Sequence, residues 1–524
     1  MSKETYELSS QLGGLVSGVD ITELFLILTV TGFLALLYAT YYNKYGYGLN
    51  HVPGPWLGSF SNIYRFLRVA KGTAHLQDIN LHRKYGSVVR LAPNVVSIGD
   101  PKAIQKIYGI TANLPKSGFY PVNYTYSHGK LVPGIFATTD EGLHRKMKRP
   151  IANLYSMSSV LAYETLVEDT VRVMIDQLDK RFASTGQPCD LSSWLQFYAF
   201  DVISAATFSS RVGFIDNGED VGGVMEGIWS RFKYFATIGQ MPWLDKFWDK
   251  SPLINTLFPA KSSPIAAFAM NLTGKRLEEL SASENNEKGA TKKSDFLSKF
   301  LEIKAKHKDL PDWYLTSWTI SNMLAGSDTT AINLRAIFYY LLRHPHSLQR
   351  VLDEIKEAEA ENRLSEIITY NESKTLKYLD ACIKESGRLH PSIGLPLERV
   401  VPPGGMEING HRLPGGTIIG INAWTCQRDY NVFGEDADEW KPERWLVDDA
   451  RANEMSRAIL LFGSGHRSCI GKHISLIEIY KIVPQLLREF EFKFVHPDRP
   501  WTTIGFWAVR QTDMDVWLQR RTKL

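Results

Sequence analysis

The stretch that decides the reading is Phe462–Gly471, FGSGHRSCIG. It holds one thiol, Cys469, among Gly463, Gly465 and Gly471, and an apolar run with helical spacing, Ile470 to Leu487, begins directly after it. Glycine removes the Cβ that would hold the backbone away from a flat, bulky neighbour. A cysteine just ahead of a helix start meets free N–H groups and the positive end of the helix dipole, which favour the thiolate. That combination offers sulfur to a metal cofactor. Standing alone, a single cysteine at a tight turn is more often a structural core residue, so the decision falls to the rest of the chain.

Composition narrows the choice. The chain has 524 residues, 44% hydrophobic and 22% charged, with a net charge of +4. This is an ordinary large globular composition without the basic footprint of a nucleic-acid binder. Cys189, Cys382, Cys426 and Cys469 are scattered, with no C-x-x-C pair. No disulfide framework is in prospect, and the bulk of the chain is expected in a reducing compartment. A zinc site built from His466, Cys469 and His473 would have no recognised spacing.

The N-terminus carries its own signal. From Leu24 to Asn43, 20 residues pass without a charge, enough to cross a bilayer as a helix. Tyr38, Tyr41 and Tyr42 would stand at the headgroup level. Acidic residues (Glu4, Glu7, Asp20, Glu23) precede the span and basic ones (Lys44, Arg65, Arg68, Lys71) follow it. That asymmetry argues against a cleaved signal peptide and puts the downstream chain in the cytosol. The expected layout is a short luminal N-terminus (1–20), a transmembrane anchor (21–43), a stiff hinge (44–60) with Pro53 and Pro55 around Gly54, and a catalytic body (61–524).

Within the body, the alternation of 85–98 around a Pro-Asn turn predicts a hairpin. Segment 113–136 is rich in aromatics, prolines and glycines without periodicity, as a lid or binding wall would be. A basic helix opens at Asp140 and carries His144, Arg145, Lys146, Lys148 and Arg149. Helices are predicted over 158–183 and 192–208, an aromatic-rich stretch caps a cavity or rests on the membrane over 224–258, and 281–294 reads as a polar, flexible linker.

The pattern over 312–343 predicts a helix of about 32 residues, on the order of 48 Å. Its centre, Ala325–Thr330, reads AGSDTT. Those are poor helix formers whose hydroxyls bond back to carbonyls and loosen the ladder, and a rule broken there points to a site. Glu385 and Arg388 stand at ion-pair spacing on one helix face. Asn409-Gly410 predicts a hairpin turn, and the strand-rich tail turns near Ile504–Phe506.

Taken in order, these motifs resemble those of a membrane-anchored cytochrome P-450 along essentially the whole chain. The family's haem-binding pattern F-x-x-G-x-R-x-C-x-G is met by Phe462, Gly465, Arg467, Cys469 and Gly471. The pattern [AG]-G-x-[DE]-T-[TS] is met by Ala325–Thr330, E-x-x-R by Glu385 and Arg388, and P-E-R-[FW] by Pro442–Trp445. The resemblance implies a mainly α fold with smaller β-sheets and a haem b whose iron takes Cys469 as axial ligand. It implies that Asp328 and Thr329 sit over the distal face and relay protons to dioxygen. Glu385, Arg388 and Arg444 would form a structural ion network. The propionates would be met by Arg467, Arg399 and the basic helix; there the family often has Trp and then Arg, and this chain has His144 and Lys148, with Arg149 adjacent.

The resemblance also implies a monooxygenase inserting one oxygen atom of O2 into a hydrophobic small molecule. Electrons would come from NADPH through a separate NADPH–cytochrome P-450 reductase, with cytochrome b5 as a further partner, at the endoplasmic reticulum membrane. No nucleic-acid partner is implied. Within the family, GLPLERVVPPGG and GKHISLIEIYKIVPQ look most like filamentous-fungal enzymes of secondary metabolism near the pisatin demethylase-like group. Phe119, Tyr120, Trp318, Asn322 and Ala325 are candidates for the substrate pocket. Ile393, Leu395, Ile504 and Phe506 complete it. Two other readings share the fold: a peroxide-rearranging enzyme that needs no reductase, and a non-catalytic haem-binding sensor. Relatives of the first kind usually lose the distal Thr or alter the cysteine loop, and this chain keeps both.

Overall fold

The computed structural model describes residues 20–127, 130–257, 264–284 and 295–522. The expected luminal segment and most of the 281–294 linker lie outside these residues. Helix α1 (Ile21–Tyr45) has no buried residue and, at about 37 Å, is the one helix among the described residues long and apolar enough to cross a membrane. Two of its hydroxyls are satisfied within the helix, Thr29 Oγ1 donating to Phe25 O at 2.8 Å and Thr40 Oγ1 to Leu36 O at 2.7 Å, which suits an apolar surrounding.

The hinge is more than a spacer. Strand β1 (Val88–Ala92) is wholly buried, and Arg90 within it reaches the end of α1, donating to Asn43 O at 2.7 Å and Lys44 O at 3.0 Å. A guanidinium there satisfies carbonyls the helix leaves unpaired and meets the negative end of its dipole. Arg90 N also donates to Pro53 O at 2.8 Å, and Asn43 Nδ2 to Phe60 O at 2.7 Å. The proline segment is thus bonded along the body.

β1 pairs antiparallel with β2 (Val95–Ile98), as the hairpin reading expected. The body's helices include α2 (Glu141–Lys148), α3 (Glu164–Leu178), α4 (Leu191–Phe208), α5 (Val224–Ile238), α6 (Pro264–Glu284), α7 (Trp313–Arg343), α8 (Lys377–Leu389) and α9 (Lys472–Glu489). Every residue of α4 except Ser193 is buried, so α4 is apolar nearly all round, as a core helix must be. α7 packs along it for much of its length, with Gly326 at the closest approach: a Cβ there would lie 2.8 Å from Ile203 Cγ1.

Among the described residues five small sheets flank the helices. In three of them, besides β1 and β2, the strands are β3 (Cys189–Asp190), β4 (Arg399–Val400), β5 (Ile418–Ile421), β6 (Phe490–Phe494), β7 (Thr502–Gly505), β8 (Val509–Thr512) and β9 (Asp515–Arg520). One sheet has the order β1-β2-β5-β4, the second β6-β9-β3, and β7 pairs with β8. β2 and β5 run parallel, Val96 facing Ile419, and both are largely apolar and buried, as parallel strands are. Asn409 and Gly410 take φ of 47° and 76° between two short paired strands, the left-handed pair that a two-residue hairpin needs.

Candidate active site

The cysteine loop is held from both ends. Cys469 N donates to Phe462 O at 2.8 Å, and Gly471 caps α9. Gly465 takes φ of 64°, and a Cβ on it would meet Tyr108 O at 1.9 Å. The close neighbour that demands glycine there is backbone, where the sequence reading expected a flat ligand. Cys469 is exposed, whereas the other three cysteines are buried. It is open to solvent yet set among protein atoms, as a residue on the wall of a cleft is. Burial pushes the thiol up, while the N–H groups of Gly471 and Lys472 and the charges of Lys148 and Lys472 draw it back down.

Cations gather around this loop. Arg467 pairs with Glu141 (Nη2 to Oε1 2.7 Å), and His466 Nε2 lies 3.1 Å from the other carboxylate oxygen. Burial would raise the Glu141 carboxyl, but Arg467 holds it below its usual range. Lys148 Nζ donates to His466 O at 2.8 Å, whereas Arg149 is exposed to solvent, so Lys148 is the one that faces the loop. His144 is buried; burial, Arg467 and Lys148 push it down to about 3, so it is a neutral ring, one cation fewer than a charge count of the helix allows. Arg399 is buried, 5.0 Å from the centre of the Tyr108 ring. Sequence reasoning missed Lys116, whose Nζ bonds Phe136 O and lies 4.1 Å from the centroid of Tyr120 and 4.3 Å from that of Phe136. Its signal was a lone cation inside the apolar loop LPKSGFY.

α7 turns one stripe away from its packing. Ala325 is exposed and Thr329 half-exposed, while Met323, Ser327, Asp328 and Thr330 are buried. The stripe is flanked on one side by Gly134, whose Cβ position lies 3.9 Å from Ser321 Oγ. On the other side Ser392 Oγ donates to Thr329 O at 3.0 Å. The expected back-bonding is present, Thr329 Oγ1 to Ala325 O at 2.8 Å and Ser327 Oγ to Met323 O at 3.1 Å, yet the helix runs unbroken. What is loosened is the acceptor: Asn333 Nδ2 at 3.0 Å also takes up the Thr329 carbonyl. Asp328 departs from expectation. One residue is about 100° around a helix, so its carboxyl faces α4, where Gln196 Nε2 donates to Oδ1 at 2.8 Å. Burial pushes it up to about 6.

The pocket candidates divide. Phe119, Tyr120, Phe136, Phe235 and Trp507 form one aromatic cluster with centroid separations of 4.4–6.5 Å. It meets the cysteine loop where Arg467 Nη1 reaches Ile135 O at 3.4 Å. Leu395 is buried nearby, Ile393 bridges to Ala508, and Phe506 packs against Trp229 at 5.5 Å. Trp318, Asn322 and Ile504 are corrections. Trp318 is 1% exposed, tilted against Phe300 and edge-on to Tyr314, with its indole N–H on Met147 O at 3.1 Å. Asn322 is used up between Tyr155 (2.6 Å) and Thr207 (3.3 Å). Both share the face of Ala325 and Thr329 but lie one to two turns nearer the start of α7, where Met147, Tyr155 and Thr207 cover them. Ile504 is exposed at the outer edge beside Gly72. Phe235 comes from the 224–258 stretch expected to cap a cavity, and Trp507 was the missed member, hidden because no local spacing links it to the others.

The ion network is closed on itself. Glu385 and Arg388 are fully buried and paired through both carboxylate oxygens (2.7 and 2.8 Å), and Arg444 Nε joins at 2.9 Å. The Trp445 indole adds a further donor at 2.9 Å.

The haem implied by the motifs fits this arrangement on the chemistry of its donors: an exposed sulfur at a helix start, cations gathered about its loop, and the open Ala325 and Thr329 of α7, a helix that packs on α9. The comparisons agree. The family model for cytochrome P-450 matches residues 51–514. A cytochrome P-450 monooxygenase of Aspergillus terreus is 46% identical over 84% of this chain and 90% of its own length. The monooxygenases cicH and pkfB of Emericella nidulans are each 42% identical over 93% of this chain, covering 97% and 95% of their own lengths. The chain belongs to the cytochrome P-450 family. It is a monooxygenase with a haem-thiolate cofactor, using O2 and NADPH-derived electrons.

Proposed function

We propose that Cys469 is the axial ligand of the haem iron, and that Lys148, Arg399, Arg467 and Lys116 meet the propionates, with His144 as a neutral neighbour. The observation that carries this reading is the pairing of the one exposed cysteine, set at the start of α9, with the exposed Ala325–Thr329 stripe of an otherwise buried helix. Haem bound there supplies thiolate-ligated iron that activates dioxygen, one atom going to substrate and one to water. The chain's own residues do the rest. Thr329 Oγ can leave its bond to Ala325 O and hold a water in place, and Asp328 supplies protons from behind. The aromatic cluster excludes water and orients an apolar substrate with few polar contacts.

The substrate class is a hydrophobic small molecule of fungal secondary metabolism (terpenoid, polyketide or alkaloid), hydroxylated, epoxidised, demethylated or oxidised in several steps. The relatives' fungal sources and the aromatic wall support this. The electron donor is a separate NADPH–cytochrome P-450 reductase, assisted by cytochrome b5 and docked on the exposed cations of α2, Arg145, Lys146 and Arg149. The chain is single-pass in the endoplasmic reticulum membrane with its catalytic body facing the cytosol. Apolar side chains exposed beyond α5 (Trp243, Phe247, Trp248) suit a surface resting on lipid. The test is the protein in membranes with reductase, fed a panel of hydrophobic metabolites, with products read by mass. Thr329→Ala should raise hydrogen peroxide formed per NADPH several-fold; unchanged coupling removes its role in proton delivery.

A further inference from the structure

Gln196 is a polar residue buried in the middle of α4 among Trp194, Leu195, Phe197 and Tyr198. Both ends of its amide are in use: Nε2 donates to Asp328 Oδ1 at 2.8 Å, and Oε1 accepts from Arg335 Nη2 at 2.5 Å. Arg335, also buried, is fixed in turn by Nε donating to Ser192 O at 2.9 Å. A guanidinium carries only donors, so it dictates that the amide oxygen faces it and that the NH2 faces Asp328. Among the described residues the other carboxyl oxygen, Oδ2, is buried without a protein partner. An oxygen that already accepts a hydrogen bond is the poorer seat for a proton, and the free oxygen is the better one.

We infer that Gln196, locked by Arg335, is a positioning residue that fixes Oδ1 of Asp328 as an acceptor and reserves Oδ2 as the proton-carrying atom. The inference rests on the reading of Asp328 as the proton donor. It also explains why a glutamine stands where an apolar residue would pack more easily: a hydrocarbon there would leave Arg335 and Asp328 buried with one contact fewer each, a costly arrangement. The groups facing Asp328 are Gln196 from α4, Arg335 from its own helix, Arg510 from β8 and Asp220 from the turn ahead of α5. Burial raises the carboxyl; Arg335, Arg510 and Gln196 lower it; Asp220 raises it. Loss of the Gln196 donor must therefore move the carboxyl upward.

The experiment uses the haem-loaded, full-length protein with reductase and a turned-over substrate. It measures peroxide per NADPH against pH, and follows the protonated carboxyl stretch of Asp328 by infrared difference spectroscopy without reductase. Asp328→Asn identifies that band by its loss. Gln196→Met should raise both the coupling midpoint and the infrared midpoint by about one pH unit. Gln196→Glu, which keeps the size and the Arg335 partner but loses the donor, should move them the same way, while the thiolate-type ferrous–CO absorption stays intact. If Asp328→Asn uncouples the enzyme but both Gln196 variants keep wild-type midpoints, the positioning role is wrong and the proton-donor reading stands. If Asp328→Asn leaves coupling unaltered, the proton-donor reading fails and takes this inference with it.

Discussion

The cysteine side of the cleft and the aromatic side are built on opposite plans. The cysteine side is local: ten consecutive residues supply sulfur, turn and Arg467, and the network behind them closes over two short segments, Glu385–Arg388 and Lys441–Trp445. Each member is needed for what it is chemically, a thiolate, a carboxylate or a guanidinium. The aromatic side is assembled from the 113–136 loop, α5 and the turn at 506–508, and each member is needed only for shape. The first plan fixes the reaction class and the second fixes the substrate. Changes on the first side should be all-or-none, and changes on the second graded.

The sharpest way to break this contrast is Cys469→Ala. The reduced, carbon monoxide-bound protein should lose the long-wavelength haem band of thiolate ligation completely, along with turnover. A retained band would place the ligand elsewhere. Next in size is Glu385→Gln, which keeps the volume but leaves Arg388 buried without a carboxylate and Arg444 with Asp436 alone. Removing one partner of a buried ion pair costs about 3–5 kcal/mol, a large share of a typical stability of about 5–15 kcal/mol. The expected result is a sharply shortened thermal half-life of the haem-thiolate absorption at unchanged spectral shape. A half-life within twofold of wild type would mean the network does not support the fold.

The same contrast explains what could be read from the sequence. Cys469, Gly465, Arg467, the AGSDTT turn and Glu385–Arg388 are legible because spacing along one loop or helix carries the constraint. The hairpin at 88–98 and the Asn409-Gly410 turn are legible for the same reason. Lys116, Glu141, Gln196 and Trp507 were not, since each acquires its role from a partner far away in the chain: Phe136 and Tyr120, Arg467, Asp328, and Phe119. Trp318 and Asn322 were misread because the shared face with Ala325 and Thr329 was legible but not the distant side chains that cover its first turns, Met147, Tyr155 and Thr207. The hinge was legible as stiff, but its clamp by Arg90 depends on a strand that folds later in the chain.

The smallest effect is expected at Trp507, and it tests the graded half of the comparison. Trp507 is buried against Phe119, Phe136 and Phe235 at 5.8, 5.3 and 5.2 Å, and its backbone carbonyl accepts from Gly394 N at 2.9 Å. Backbone placement is therefore independent of the ring. Trp507→Phe keeps an edge-to-face partner while giving up the larger ring surface, a change on the order of 1 kcal/mol for such contacts. A substrate drawn from the metabolite panel should bind about fivefold more weakly by titration of the haem absorption, with a shifted product ratio. The carbon monoxide spectrum and the thermal half-life should stay near wild type, because no member of the thiolate loop or the ion network touches the ring. Loss of the thiolate band in this variant would mean that the two sides of the cleft are one cooperative unit, and the division drawn between them would have to be abandoned.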